Sequence, residues 1–195
     1  QIPRQDKDKL NANIRKENKM LKLGKADAVR KGFEATKGDI LIILDADCTV
    51  PPEDLDKFYL ALAESRGELI NGTRLVYPLE KGAMRILNLY ANEIFGYIFS
   101  WLLGQNIKDT LCGTKALTRE SYRKIKEARS YFGDFDPFGD FELLFGAAKQ
   151  NLKIIELPVR YRARTYGDIK IERFRHGLLL LKMCFIALLR FKLAK

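Results

Sequence analysis

Histidine is almost missing from this chain: one residue, His176, in 195. Multi-histidine metal centres and most imidazole-based proton relays are thereby excluded. His176 itself reads as a surface residue near a helix start. Cysteine is scarce as well. Cys48, Cys112 and Cys184 lie far apart and form no CxxC pair. That spacing argues against a zinc site or a disulfide framework and favours a reducing compartment. There is a single tryptophan, Trp101, and no internal repeat or low-complexity tract. No signal peptide is visible after Gln1, and the first strand-like run comes only at residue 40. The amino-terminal part of a larger domain is therefore expected to lie outside this sequence.

What is present describes a folded globular domain. Hydrophobic residues make up 47% and charged residues 31%, enough apolar material for one substantial core. The net charge of +10 is unevenly spread. Residues 1–37 carry 11 Lys/Arg against 5 Asp/Glu, and residues 160–195 carry 10 against 2. The middle, with 14 against 18, is acidic. Basic ends suit phosphates or an anionic membrane surface.

Along the chain, residues 1–23 read as a polar, lysine-rich surface segment. Residues 24–37 place Ala28, Val29, Gly32, Phe33 and Thr36 at helical spacing, with Gly38 expected as the C-cap. The near-continuous apolar run Ile40–Leu44 reads as a buried parallel strand. Pro51, Pro52, Glu53 and Asp54 form a typical first helical turn, and that helix is expected to end before Gly67. A strand over 68–73, a long apolar helix over 83–104, an extended segment over 111–118 and a short helix over 119–128 follow. Residues 139–150 read as a helix stopped at Asn151. From 153, alternation sets Val159, Tyr161 and Ala163 against Arg160, Arg162 and Arg164. A basic, apolar helix closes the chain from about 172 to 193. Strands alternating with helices predict an α/β domain.

The strand at 40–44 ends in two carboxylates one residue apart, Asp45 and Asp47. On an extended chain, side chains at i and i+2 share a face. Ligands of open α/β sheets gather beyond the carboxyl ends of the strands. Two hard oxygen donors there suit a divalent cation, Mg²⁺ or Mn²⁺, and through it the diphosphate of a nucleotide. A plain turn after a strand, where aspartate is common, is the alternative.

The segment GKADAVRKGFEATKGDILIILDADCTVPPEDL resembles the central part of family 2 glycosyltransferases with the GT-A fold. Later pieces agree in order: Gly72-Thr73-Arg74, Asp109 to Lys115, Gly139 to Leu143, Glu156 to Val159, and Arg164 to Lys170. This ordered set is similar to the dolichyl-phosphate mannose and glucose synthase branch and covers roughly residues 24–171. The resemblance implies a Rossmann-like, three-layer nucleotide-diphospho-sugar transferase whose opening strands are missing here. Its catalytic domain would occupy 1–171, and a basic amphipathic helix at a membrane would occupy 172–195. The family's Pro-x-Tyr-Asn-Glu signature is not in this sequence, and the glycine usual after Gly24-Lys25 is Ala26. No Gln-x-x-Arg-Trp motif occurs, which disfavours a processive polysaccharide synthase.

The resemblance also implies roles. Lys25, Asp45, Asp47, Arg164 and Lys170 would bind the donor, with Asp45 and Asp47 on the metal. Arg74, Arg85 and Asp109 would address the acceptor. Asp140 and Glu142 would be the candidate catalytic carboxylates, although on a helix they point about 200° apart, so only one should face the site. The implied activity is metal-dependent, inverting transfer of a hexose from a nucleotide sugar to a polyprenyl phosphate at the cytoplasmic face of a membrane. If the acceptor is a phosphate, its oxygen is already ionised and no base is needed. If it is a hydroxyl, Asp140 would be the base. A non-catalytic basic module that binds membranes or nucleic acid is a third reading, and the carboxylate pair speaks against it; no nucleic-acid partner is expected. Residues 86–103 are apolar but carry Glu93 near the middle, so a buried or surface-lying helix is expected rather than a spanning one. The tail has the composition of an interfacial helix or of a core-packing one.

Overall fold

The computed structural model describes residues 25–78, 86–129, 140–163 and 173–193, without the side chains of 86–88 and 173–176. Three expected site residues, Arg85, Arg164 and Lys170, lie outside the described residues, as does the segment before Lys25.

Helix α1 (Lys25–Ala35) leads to strand β1 (Ile40–Ile43). A 3₁₀ turn (Pro52–Asp54) runs into α2 (Leu55–Ala63), followed by β2 (Leu69–Thr73) and α3 (Ile86–Leu103). Then come β3 (Lys115–Thr118), α4 (Arg119–Glu127), α5 (Phe141–Lys149) and β4 (Ile154–Pro158). Helix α6 (Arg173–Leu188) ends in a π-helical turn, Leu189–Leu193. The sheet order is β1-β3-β2-β4. Strand β3 is antiparallel to both its neighbours, and β2 is parallel to β4. Strands β1, β2 and β4 therefore share one direction and end at one edge.

The expected parallel strand at 40–44 is corrected in one respect: its described partner, β3, is antiparallel. The apolar run reflects cover on both faces of the sheet rather than strand direction. Leu41, Leu69, Leu117 and Ile154 face one cluster with Phe33 and the inner sides of α3 to α6. Ile42, Ile70, Ala116 and Ile155 face a second cluster against Phe58, Ala61 and Leu62 of α2. The result is the expected three-layer sandwich, with α2 alone on one side among the described elements.

Gly38 does not cap α1 as expected. Arg119, at the start of α4, donates to the carbonyl oxygens of Thr36 at 2.8 Å and Gly38 at 2.9 Å. A guanidinium from another element thus satisfies the orphan carbonyls that a left-handed glycine would otherwise serve. Asn151 does stop α5, in the left-handed conformation at φ 54°. The α3 helix carries the loop that follows it: Ser100 Oγ donates to Ile107 O and accepts from Ile107 N, both at 2.9 Å. A Cβ at Gly96 would lie 2.6 Å from Lys108 O, so only glycine lets that loop lie so close.

Candidate active site

At the edge where β1, β2 and β4 end, three chain exits come together: Asp45 after β1, Arg74 after β2 and Tyr161 after β4. The sheet supplies their footing. Across the four strands Ile43 pairs with Lys115, Lys115 with Asn71, and Asn71 with Glu156. Three of these four are polar, and they hold the residues above them.

The aspartate pair sits in a turn rather than on continuing strand. Cys48 N donates to Asp45 O at 3.0 Å, and Cys48 is left-handed at φ 49°. Asp47 Oδ1 accepts from Thr49 N at 3.2 Å and Thr49 Oγ1 at 3.0 Å, the local bonding that gives aspartate its preference for turns. Asp45 and Asp47 are half-buried while Ala46 and Cys48 between and after them are exposed. Gly113 makes room for Asp45, because a Cβ there would lie 2.6 Å from Asp45 Cγ.

Lys25, the first residue of α1, places Nζ 3.2 Å from Asp45 Oδ1 and 3.4 Å from Asp140 Oδ2. Burial alone would lower its pKa, but the Asp140 and Asp45 carboxylates outweigh that and raise it above the usual lysine value. These two anions also offset an ammonium placed at the positive end of a helix dipole. Asp140 stands at the N-cap of α5 without a side-chain cap bond. Its Oδ1 accepts instead from Lys115 Nζ at 3.0 Å. Lys115 is 0% exposed and also donates to Cys112 O. Alternating charges thus climb from the sheet to the rim: Lys115, Asp140, Lys25, Asp45.

A second cluster surrounds Arg74. Its Nε and Nη2 donate to Asp109 Oδ2 and Oδ1, each at 2.7 Å, the bidentate geometry that suits arginine. Asp109 also accepts from Asn92 Nδ2 at 2.8 Å and Arg74 N at 3.1 Å. Burial would raise the Asp109 pKa, but the Arg74 guanidinium and its hydrogen bonds hold it below the ordinary value. Tyr161 lies under Arg74, 5.1 Å from Cζ to ring centroid. Glu156 accepts from Asp109 N at 3.1 Å, Lys108 N at 2.9 Å and Asn71 Nδ2 at 3.0 Å, while burial pushes its carboxyl above the usual range.

Two expectations change. Asp109 is 0% exposed, so it reaches no acceptor and instead anchors Arg74. Glu142 is held by Arg30 Nε at 2.8 Å and Arg129 Nε at 2.7 Å, where it ties α5 to α1 and to the turn that follows α4. Lys25, Asp45 and Asp140 do converge. The sequence reading missed Lys115, whose signal was a lysine opening the otherwise apolar strand KALT, and Gly113 beside it.

Among the described residues, no group of three or more His, Cys, Asp or Glu side chains is placed to hold a metal ion. A two-carboxylate set does not suit a metal caged by protein alone. It does suit a hard divalent ion that completes its shell with diphosphate oxygens and water.

The glycosyl transferase family 2 model matches residues 7–126. The glycosyltransferase AglJ of Haloferax volcanii is 31% identical over 79% of this chain and 49% of its own length. The dolichyl-phosphate hexose transferase of the same organism is 30% identical over 77% of this chain and 61% of its own length. The chain thus spans about half to three-fifths of the length of these two relatives. Glucosyl-3-phosphoglycerate synthase of Mycobacterium tuberculosis, solved with Mn²⁺, uridine diphosphate and glucosyl-3-phosphoglycerate, superposes with a TM-score of 0.56. It covers 88% of this chain and 56% of that one at 19% identity, a likeness in fold, which is GT-A. With the matched stretch running past β1, the aspartate turn, β3 and nearly all of α4, this chain belongs to glycosyl transferase family 2.

Proposed function

We propose that this chain is the catalytic part of a metal-dependent, inverting glycosyltransferase that moves a hexose from a nucleotide-diphosphate sugar to a polyprenyl-phosphate acceptor at the cytoplasmic surface of a membrane. The observation that carries the reading is the Asp45–Asp47 turn at the sheet edge with the Lys25 ammonium beside it. A divalent ion bound there would neutralise charge on the leaving diphosphate. Lys25, next to Asp45, faces the same developing charge. An acceptor oxygen would attack the anomeric carbon from the side opposite the diphosphate, the bond to the diphosphate oxygen would break, and the configuration would invert.

Asp140 favours an acceptor that is already an anion. Both its oxygens accept from ammonium groups, Lys115 and Lys25, so taking a proton would require dismantling an ion pair. A phosphate needs no such step. Relatives named dolichyl-phosphate hexose transferase and dolichyl-phosphate beta-glucosyltransferase point to the same acceptor class.

Two helix faces support the membrane surface. Tyr90, Ile94, Tyr97 and Trp101 recur at helical spacing on α3, all exposed, Tyr97 at 71%. Leu178, Leu181, Phe185 and Leu189 do the same along α6 and its final turn. The opposite faces of both helices, with Phe99, Leu102, Leu180 and Met183, lie in the core. Residues 173–193 contain no acid, and Lys182, Arg190 and Lys192 flank the apolar stripe. Lys192 lies over the Trp101 ring at 5.2 Å. The basic, apolar face of α6 suits an anionic bilayer. No helix among the described residues is long and apolar enough to cross a membrane.

The test is direct. Asp45→Ala and Asp47→Ala, with folding intact by circular dichroism, should abolish metal-dependent binding of a nucleoside diphosphate and transfer to a polyprenyl phosphate. Full retained turnover in either variant would remove the metal assignment.

A further inference from the structure

Lys25 rests on an oxygen that the reading above assigns to a metal, and this conflict has consequences. Its Nζ is 3.2 Å from Asp45 Oδ1, and the ammonium is also tied to Asp140 Oδ2 at 3.4 Å. Asp140 is in turn fixed from below by Lys115, which has no exposure to water. Asp140 therefore cannot follow Lys25 outward without breaking a buried pair. Of the two cations in the ladder, only Lys25 reaches the surface, its side chain one-third exposed while Lys115 has none, so it is the cation with room to move. A divalent ion on Asp45 would meet the ammonium at close range, and two cations on one carboxylate oxygen repel. Lys25 can give up Asp45 and keep Asp140, and its charge would then need a second anion. A donor diphosphate arriving at the same rim supplies one.

We propose that Lys25 is an internal counter-ion that occupies Asp45 in the ligand-free protein and exchanges Asp45 for the donor diphosphate, so that ion and nucleotide bind well only together. Resting on the metal reading, it adds a coupling between two ligands. Because linkage is reciprocal, the nucleotide must tighten the ion as much as the ion tightens the nucleotide. Lys25 is a positioning residue in this scheme, and Asp140 with Lys115 is the post that keeps it at the rim.

The experiment measures Mn²⁺ binding to the full chain by electron paramagnetic resonance, alone and with saturating uridine or guanosine diphosphate. Wild type should bind Mn²⁺ weakly alone and more tightly with one of the nucleotides. Lys25→Met should bind Mn²⁺ alone about two- to fivefold more tightly than wild type, the range expected for removing a partly exposed ion pair, and should lose most of the nucleotide's enhancement. Lys25→Gln serves as a second variant, and Lys25→Arg should restore the wild-type pattern. Unchanged or weaker binding of Mn²⁺ alone in folded Lys25→Met and Lys25→Gln would overturn the proposal while leaving the metal site standing. If wild type takes up no Mn²⁺ with either nucleotide, or Asp45→Ala takes up as much as wild type, the metal reading fails, and the counter-ion role falls with it.

Discussion

Gly113→Ala probes the aspartate turn without touching its charge. The backbone at Gly113 is not left-handed, so alanine is conformationally allowed there. The new methyl would stand 2.6 Å from Asp45 Cγ, and ordinary contact begins at 3.4 Å. Asp45 Oδ2 would be met closer still, so the carboxyl group must retreat by at least about 0.8 Å, the difference between those two distances. It is the end of a half-exposed side chain, so the fold should absorb the change, and the melting temperature should move by about 2 °C or less. Function should not absorb it. Displacements near 1 Å in a positioned group can cost up to about a hundredfold, so kcat/KM should fall on the order of 10- to 100-fold, about 1.4–2.7 kcal/mol. The assay pairs calorimetry of the melt with Mn²⁺-dependent transfer from a nucleotide sugar. Activity within twofold of wild type would show that the placement of Asp45 against Gly113 is irrelevant to the chemistry. A collapsed melting temperature would show that Gly113 serves the fold instead.

Other perturbations separate the remaining roles. Asp140→Asn should slow transfer to a phosphate acceptor by disordering Lys25; a loss beyond about a thousandfold in a folded variant would reinstate a general base and a hydroxyl acceptor. Asp109 has a depressed pKa, so its contribution to stability is present above the ordinary carboxylate range and is lost as pH falls through that range toward the folded value. Urea midpoints should accordingly drop between about pH 5 and pH 3 in wild type. Asp109→Asn should be about 3 kcal/mol less stable at neutral pH and flatter in acid, and an equally steep acid limb would refute the assignment. Replacing Trp101 and Phe185 together with glutamate should weaken sedimentation with phosphatidylglycerol vesicles at least about tenfold at unchanged melting temperature, because one buried aromatic is worth about 1.5–3 kcal/mol. Unaltered vesicle binding would remove the helical face from the proposal.

Much of the architecture was legible because burial leaves a local signature. Periodicity located α1, α3 and α5, and the acids and prolines at 51–54 marked the start of a helix that begins as a 3₁₀ turn. The direction of β1's neighbour was not legible, since an apolar run records covered faces and says nothing of the strand beside it. The Asp45–Cys48 turn stands in the sequence only as the alternative to an extended aspartate pair, because i and i+2 spacing is silent about φ at Cys48. Long-range pairs left no trace either. Lys25 and Asp140 are 115 residues apart, and Arg30 and Glu142 are 112 apart, so the diversion of Glu142 and the convergence on Asp140 emerge only once the chain is folded. Lys115 was visible as a residue but not as a post, because a lysine next to apolar neighbours usually keeps its charge in water.

Lys115 belongs to the strand with a partner on either side, and it shares a sheet face with Leu117. Slipping β3 by one position would swap the faces of Leu117 and Ala116 and carry the ammonium to the α2 side, away from Asp140. A misthreaded sheet could not present the lysine–aspartate ladder at all. Correct strand alignment and an assembled lysine–aspartate rim are therefore a single event, because the residue that organises the rim sits on the strand whose register decides both.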